Sequence, residues 1–343
     1  MTSFSLTSFS RRRFGLFAAI LAVLLLGLFL VSMTMGKYSI SLDRVTAIVL
    51  SPFVHTGIPW SRMDENILLE VRAPRALAAV FIGAGLAASG AVFQGLFRNP
   101  LASPYTLGVS NGAGFGAALA ILLWGNTWMV QVSALAFALV SVFLALRLGK
   151  TARHSTVTLV LAGVIVGSLF AALVSFIKFT ADPFDKLPAI VFWLMGSLAS
   201  VNTTALWVTV PVIILLLVLL TRYGWRINIL SLGDAEAQSY GVDVRRARLG
   251  LILSCSLLAA VSVSLAGVIG WIGLIVPHLA RTFTGPDYRR LLPVSSLLGG
   301  MYLLLIDDFC RLMTGTEVPL GVVTALIGTP VFAYFMLKGK VSW

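Results

Sequence analysis

Apolar residues run in long blocks along this chain, and the polar residues gather in short stretches between them. A membrane helix needs about 20 apolar residues, fewer where a neighbouring helix or a cavity shelters its ends. By that measure the pattern predicts ten spans: Phe14–Met35, Arg72–Phe97, Tyr105–Trp124, Trp128–Leu148, Ser155–Phe179, Thr204–Thr221, Arg248–Gly267, Trp271–Phe283, Leu291–Asp307 and Val318–Leu337. The eighth is too short for an independent crossing. Leu187–Ser200 is also apolar but short, and is expected as a half-helix against the outer surface or mouth.

Composition agrees with a bilayer. Only 11% of the 343 residues are charged and 58% are hydrophobic, whereas a soluble domain carries roughly 25% charged residues. The expected fold is therefore an all-α polytopic membrane protein, a single integral domain over residues 1–343. The net charge of +12 does not argue for nucleic acid, because the basic residues are scattered between apolar blocks. They read as topology signals. With Arg11-Arg12-Arg13 inside and ten spans, 17 of the 25 Lys and Arg residues fall inside and 8 outside, as the positive-inside rule requires. Both termini are then cytoplasmic. The run after Arg13 is long for a signal-peptide core and has no convincing cleavage site, so it is expected to be retained as the first span, residues 14–35.

No Asp, Glu, Lys or Arg lies in the middle of any predicted span. Ion-coupled carriers bind the coupling ion with ionisable groups at membrane depth, so a secondary transporter is the rival reading, and energy is expected to enter from another polypeptide. Cys255 and Cys310 stand far apart in apolar surroundings and read as buried free thiols. His278, His55 and His154 offer no metal-ligand pattern. His278, after Pro277, is expected to bond locally at a helix end.

Two stretches stand out. From Arg72 the chain reads Arg-Ala-Pro-Arg75 and then an apolar run with small residues at Gly83, Ala87, Ala91 and Gly95, ending at Arg98-Asn99-Pro100. A spacing of four places those small residues on one helix face, where a second backbone can approach closely. The second stretch is the longest predicted cytoplasmic loop, 222–248. In it Ser231 or Asp234 can cap a short helix that Gly241 ends, and a second short helix would carry Arg245, Arg246 and Arg248. Sequence physics leaves this loop equally open as a solvated turn or as a knob for a partner.

The chain resembles the permease subunits of the FecCD-type iron-siderophore, haem and vitamin B12 ABC importers. The resemblance rests on Arg72-Ala-Pro-Arg75, Gly90-Ala-Val-Phe-Gln-Gly95, Asn99-Pro-Leu-Ala-Ser-Pro104, Leu107-Gly-Val-Ser-Asn-Gly-Ala113, Leu232-Gly-Asp-Ala-Glu-Ala237, Gly273-Leu-Ile-Val-Pro-His278, Arg290-Leu-Leu-Pro293 and Pro319-Leu-Gly-Val-Val-Thr-Ala325. These motifs run in family order from about residue 70 onward; before that, only a span and an outer loop match.

The resemblance implies a type II ABC importer permease of ten helices in the bacterial inner membrane. Its partners would be a second permease, identical or homologous, two cytoplasmic ATPase subunits, and a periplasmic or lipid-anchored substrate-binding protein. The chain lacks a Gly-x-x-x-x-Gly-Lys-[Ser/Thr] loop, so ATP and Mg are expected on the partner ATPase, with no cofactor and no catalytic residue here. Docking of the binding protein is assigned to Arg72, Arg75 and Arg311. Coupling to the ATPase is assigned to Gly233, Ala235, Glu236, Ala237 and Gly241, and the pathway or gate to Ser155, Thr156 and Asn111. The expected cargo is a ferric-siderophore complex, with vitamin B12 or haem as alternatives.

Overall fold

The structure is a computed structural model and describes residues 11–54, 56–151, 156–201, 203–313 and 317–337. All regular structure among them is helical. In chain order the α-helices are α1 (Arg11–Thr34), α2 (Leu42–Leu50), α3 (Arg62–Asn66), α4 (Ala73–Phe97), α5 (Val109–Leu123), α6 (Thr127–Thr151), α7 (Thr156–Thr180) and α8 (Lys186–Met195). They continue as α9 (Thr203–Arg222), α10 (Gly224–Leu232), α11 (Asp234–Ser239), α12 (Val244–Ala266), α13 (Ile272–Thr284), α14 (Tyr288–Met313) and α15 (Leu320–Leu337). Eight helical stretches among the described residues are long and apolar enough to cross a membrane. The two remaining predicted spans are α5 and α13.

The helix containing α4 starts earlier than its apolar run. Ser61 caps α3 by accepting the Asp64 N–H at 3.0 Å, and the Asp64 carboxylate accepts the Ser61 N–H at 2.9 Å, a capping box. Residues Ile67–Arg72 then form a π-helical turn that runs straight into α4. Pro74 thus lies just past the wide turn inside a longer helix, where the expanded backbone absorbs its missing N–H.

This helix is the centre of the molecule. Of its most apolar window 83% is buried, against 6% for α1, which lies at the periphery. α14 runs beside α4, and α13, α12 and α9 pack around it. A side chain at Gly83 would collide with the Gly299 carbonyl of α14, and one at Gly90 with the Gly273 carbonyl of α13. These two contacts lie seven residues apart, on nearly the same face but against different helices, and Ala87, four residues from Gly83, also lies against Gly299. Ala91 is buried, but the close approach expected there belongs to its neighbour Gly90.

α5 and α13 are short because the chain enters each through irregular backbone. Fifteen residues in α5 and thirteen in α13 span about 20 Å, short of the ~30 Å hydrocarbon core. Before α5 come a left-handed Arg98 (φ 47°), a turn and a 3₁₀ segment at Pro104–Leu107. Before α13 come Gly267 (φ 69°), three further residues and a left-handed Trp271 (φ 70°). Irregular backbone at depth must be satisfied by protein groups. The Tyr105 hydroxyl donates to the Ile269 carbonyl at 2.7 Å, joining the two breaks, and the Gln94 amide reaches the Gly273 and Leu274 carbonyls at 3.3 and 3.2 Å. His278 bonds the Pro100 carbonyl, so its partner is the other break rather than its own helix end. Cys255 and Cys310 are buried free thiols.

Candidate functional site

At one end of the bundle, α10 and α11 form a small platform. Its two short helices differ from the expected pair: Arg245, Arg246 and Arg248 open the long α12 instead of a helix of their own. Asp234 does not cap α11 with its side chain but stands in the first turn, after Gly233. Its carboxylate accepts Arg248 of α12 at 2.5 Å and lies 3.6 Å from Arg98 at the end of α4. α10 is held by Asn228, whose amide donates to Asp287 at 2.7 Å and whose carbonyl accepts the Tyr288 N–H at 2.8 Å. Arg289 closes on the same Asp287 at 3.0 Å.

Asp287 lies in the turn between α13 and α14. Burial pushes its carboxyl up, but the bonds from Arg289 and Asn228 outweigh burial and hold it below the usual carboxylate range. The platform is thus tied by polar contacts to α4, α12 and α14. Of the residues assigned to coupling, Ala235, Glu236 and Gly241 are exposed, whereas Ala237 and Gly233 are buried. Ala237 packs into the apolar core with Leu230 and Val244, so it seats the platform and offers no surface to a partner. Asn228 and Asp287 carried no motif in the sequence; an isolated amide and an isolated carboxylate were the only trace.

At the opposite end, the structure brings Arg72, Arg75 and Arg311 together, but with their charges already engaged. Arg72 is 4% exposed and Arg75 5%. Arg72 donates to the Met33 carbonyl at 2.7 Å and to the Tyr38 carbonyl, closing α1 and its following loop onto α4. Arg75 donates through Nε to Asp307 at 2.9 and 3.0 Å and reaches Glu317 at 2.7 Å. Arg311 pairs with Asp308 and lies 3.4 Å from Asp307, while Ser32 donates to Asp308 at 2.6 Å. Two of these cations, Arg75 and Arg311, meet carboxylates, and around the fully buried Asp307 side chain their pairing is weakly screened; Arg72 is held by main-chain carbonyls instead. In this structure the three arginines assigned to docking tie α1, α4 and α14 together.

Near that end three backbones meet. The Ser197 N–H, just after α8, donates to the Ala266 carbonyl at the end of α12 at 2.8 Å, and the Leu320 N–H of α15 donates to the Gly196 carbonyl at 3.0 Å. Side chains at Gly196 and Gly267 would strike main-chain atoms of the neighbouring segment. Asn111 is exposed in part and donates to the Gly167 carbonyl of α7 at 2.9 Å, so at least part of its role is to tie α5 to α7. Ser155 lies outside the described residues. Thr156 opens α7.

A buried, glycine-seamed helix inside a multi-span bundle, two short helices entered through irregular backbone and a polar platform at one end define a polytopic membrane permease. Residues 24–338 match the FecCD transport family, and the chain belongs to that family of ABC importer permeases. The molybdate import permease MolB of Haemophilus influenzae is 38% identical over 93% of this chain and 95% of its own length. The cobalamin import permease BtuC of Halobacterium salinarum is 36% identical over 94% of this chain and 96% of its own. A solved structure described as an inward-facing conformation of a putative metal-chelate type ABC transporter superimposes with a TM-score of 0.85, at 36% identity, covering 94% of this chain and 99% of that one.

Proposed function

We propose that this chain is the translocation subunit of an ATP-driven importer in the bacterial cytoplasmic membrane, and that its cargo is a ferric-siderophore complex. Two permeases, identical or homologous, would flank the pathway. Two ATPase subunits would bind ATP and Mg beneath the α10–α11 platform, and a periplasmic or lipid-anchored binding protein would deliver the cargo at the arginine end. Both termini and the platform then face the cytoplasm.

The observation that carries this reading is the linkage of Asp234 to Arg98 and Arg248. A displacement of α11 by an ATPase moves the ends of α4 and α12 with it, and α4 reaches the other face of the membrane at Arg72 and Arg75. Such a rigid-body tilt is the expected form of alternating access. Docking through Arg75 and Arg311 would exchange their present carboxylates for a partner's, and docking through Arg72 would release its main-chain carbonyls, so it would loosen the outer end as it binds.

The chelate reading is supported by the likeness to the solved structure described as a metal-chelate type ABC transporter. The likeness to the cobalamin permease supports vitamin B12 as the second reading, with haem as a further alternative.

The test is uptake in proteoliposomes holding this chain, its copurified ATPase and its binding protein. ATP-dependent uptake of a ferric siderophore, with little uptake of cobalamin, haem or molybdate, is expected. Uptake that follows an ion gradient without ATP overturns the class, and a preference for another cargo overturns the substrate.

A further inference from the structure

A cavity of about 460 Å³ opens between the adjoining ends of α9 and α12. Its mouth is polar and aromatic, with Trp225, Arg226, Tyr240 and Arg246, and its inner wall is apolar, with Leu219 and Leu251. Ser254, also in the lining, lies about 15 Å along α12 from its start. The cavity therefore spans the step from the membrane surface into the hydrocarbon region. On the bilayer side of the same helices Leu215, Val218, Leu249 and Leu253 are exposed.

Among the described residues the charge at the mouth is neutralised only in part. Arg226 has no carboxylate partner among the described residues; its guanidinium rests 4.7 Å from the Tyr223 ring centre. Asp243 is spoken for twice, capping α12 through the Arg246 N–H at 3.0 Å and pairing with Arg246 Nε at 3.2 Å. Arg222 and Arg245 stand exposed at the same two helix ends. Two cations, Arg226 and Arg246, thus line the mouth with one carboxylate, which is already engaged by Arg246. Trp225 and Tyr240, both exposed, have the amphipathic rings that settle at the headgroup level.

We propose that this cavity binds the phosphate-bearing headgroup of one anionic phospholipid, with Arg226 and Arg246 on the phosphate and the acyl chains running down past Leu219 and Leu251. Basic pockets between transmembrane helices at the membrane surface recognise such headgroups. The apolar floor selects a lipid over a free phosphate ion, which needs water or donors on all sides. Because Gly241 lines the same cavity, a bound lipid braces the end of α11. The site needs only the bilayer boundary, so it stands whether or not the cargo assignment holds.

Native mass spectrometry of the full-length chain in neutral detergent tests this, with cardiolipin, phosphatidylglycerol or phosphatidylethanolamine added. One retained cardiolipin or phosphatidylglycerol, in preference to phosphatidylethanolamine, is expected. Arg226→Gln should weaken that binding about fivefold, the contribution of one basic residue at a membrane surface, while Arg226→Lys keeps it. Size-exclusion elution of both variants as the parent does shows that they fold. The proposal fails if phosphatidylethanolamine binds as well, if Arg226→Gln leaves the preference intact in a folded protein, or if millimolar inorganic phosphate displaces the lipid. It also fails if the copurified ATPase excludes the lipid, since the cavity then belongs to that interface.

Discussion

The Asn228 side chain bridges to Asp287 at 2.7 Å while its carbonyl takes the Tyr288 N–H at 2.8 Å, so one amide fastens α10 to the start of α14. Asn228→Ala removes both bonds and leaves a part-buried N–H without its partner, at a cost of about 1–3 kcal/mol. The expected result is a lower unfolding temperature in detergent, together with ATP-driven uptake that falls further than ATP hydrolysis by the assembled transporter. Equal losses of the two would mean that the contact serves stability alone.

The same carboxylate sets a pH dependence. Its folded-state pKa lies below the ordinary value because Arg289 and Asn228 outweigh the effect of burial. A depressed carboxylate stabilises the fold above its unfolded pKa of about 3.9 and loses that stabilisation as pH falls through the lower folded value. Amide hydrogen exchange in α10 should therefore stay protected at neutral pH and accelerate only in strong acid. In Asp287→Asn this acid-dependent step should vanish.

Arg75 offers a sharper separation of roles. Arg75→Gln strands the buried Asp307 with Arg311 alone, and breaking a buried pair in this way costs about 3–5 kcal/mol. The loss should appear as instability of the isolated chain, with no binding protein present. Joint replacement, Arg75→Met with Asp307→Leu, removes both charges and should recover most of the stability. If the single variant is as stable as the parent, the pair is not a structural tie.

Glycines give a paired control. Gly90→Val places a side chain into the Gly273 carbonyl, whereas Gly27→Ala in α1 meets nothing within 4 Å. Gly90→Val should abolish recovery of folded protein, and Gly27→Ala should match the parent and gain a few tenths of a kcal/mol from helix propensity. Yield and monodispersity after solubilisation read both.

The long helices were legible in the sequence because each buries or exposes a continuous apolar surface, which hydropathy reports directly. The run after Arg72 also revealed a close-packed seam, since only small residues let two backbones touch. Its register was less visible. The four-residue spacing pointed to Gly83 and Ala87, which meet Gly299, but not to the approach of α13 at Gly90, which points about 100° around the helix from Ala91. The interruptions at Arg98-Asn99-Pro100 and between Gly267 and Trp271 were legible, but the left-handed backbone at Arg98 and Trp271 was not, because such a conformation at a non-glycine residue leaves no compositional mark. At the ends of the bundle the sequence located the charged residues but not their partners. Asp307, Asp308 and Glu317 lie more than 200 positions from Arg75, and only folding shows that they absorb the charges expected to face outward.

The meeting of α8, the end of α12 and the start of α15 is made of main-chain bonds, Ser197 to Ala266 and Leu320 to Gly196. A joint built from peptide groups carries no information about side chains. Its spacing is fixed by the main chain and by the glycines at 196, 267 and 321, where any side chain would strike the facing backbone, while the other side chains near it are free of that constraint. Side chains elsewhere can therefore change with the cargo while the spacing of these three segments stays the same.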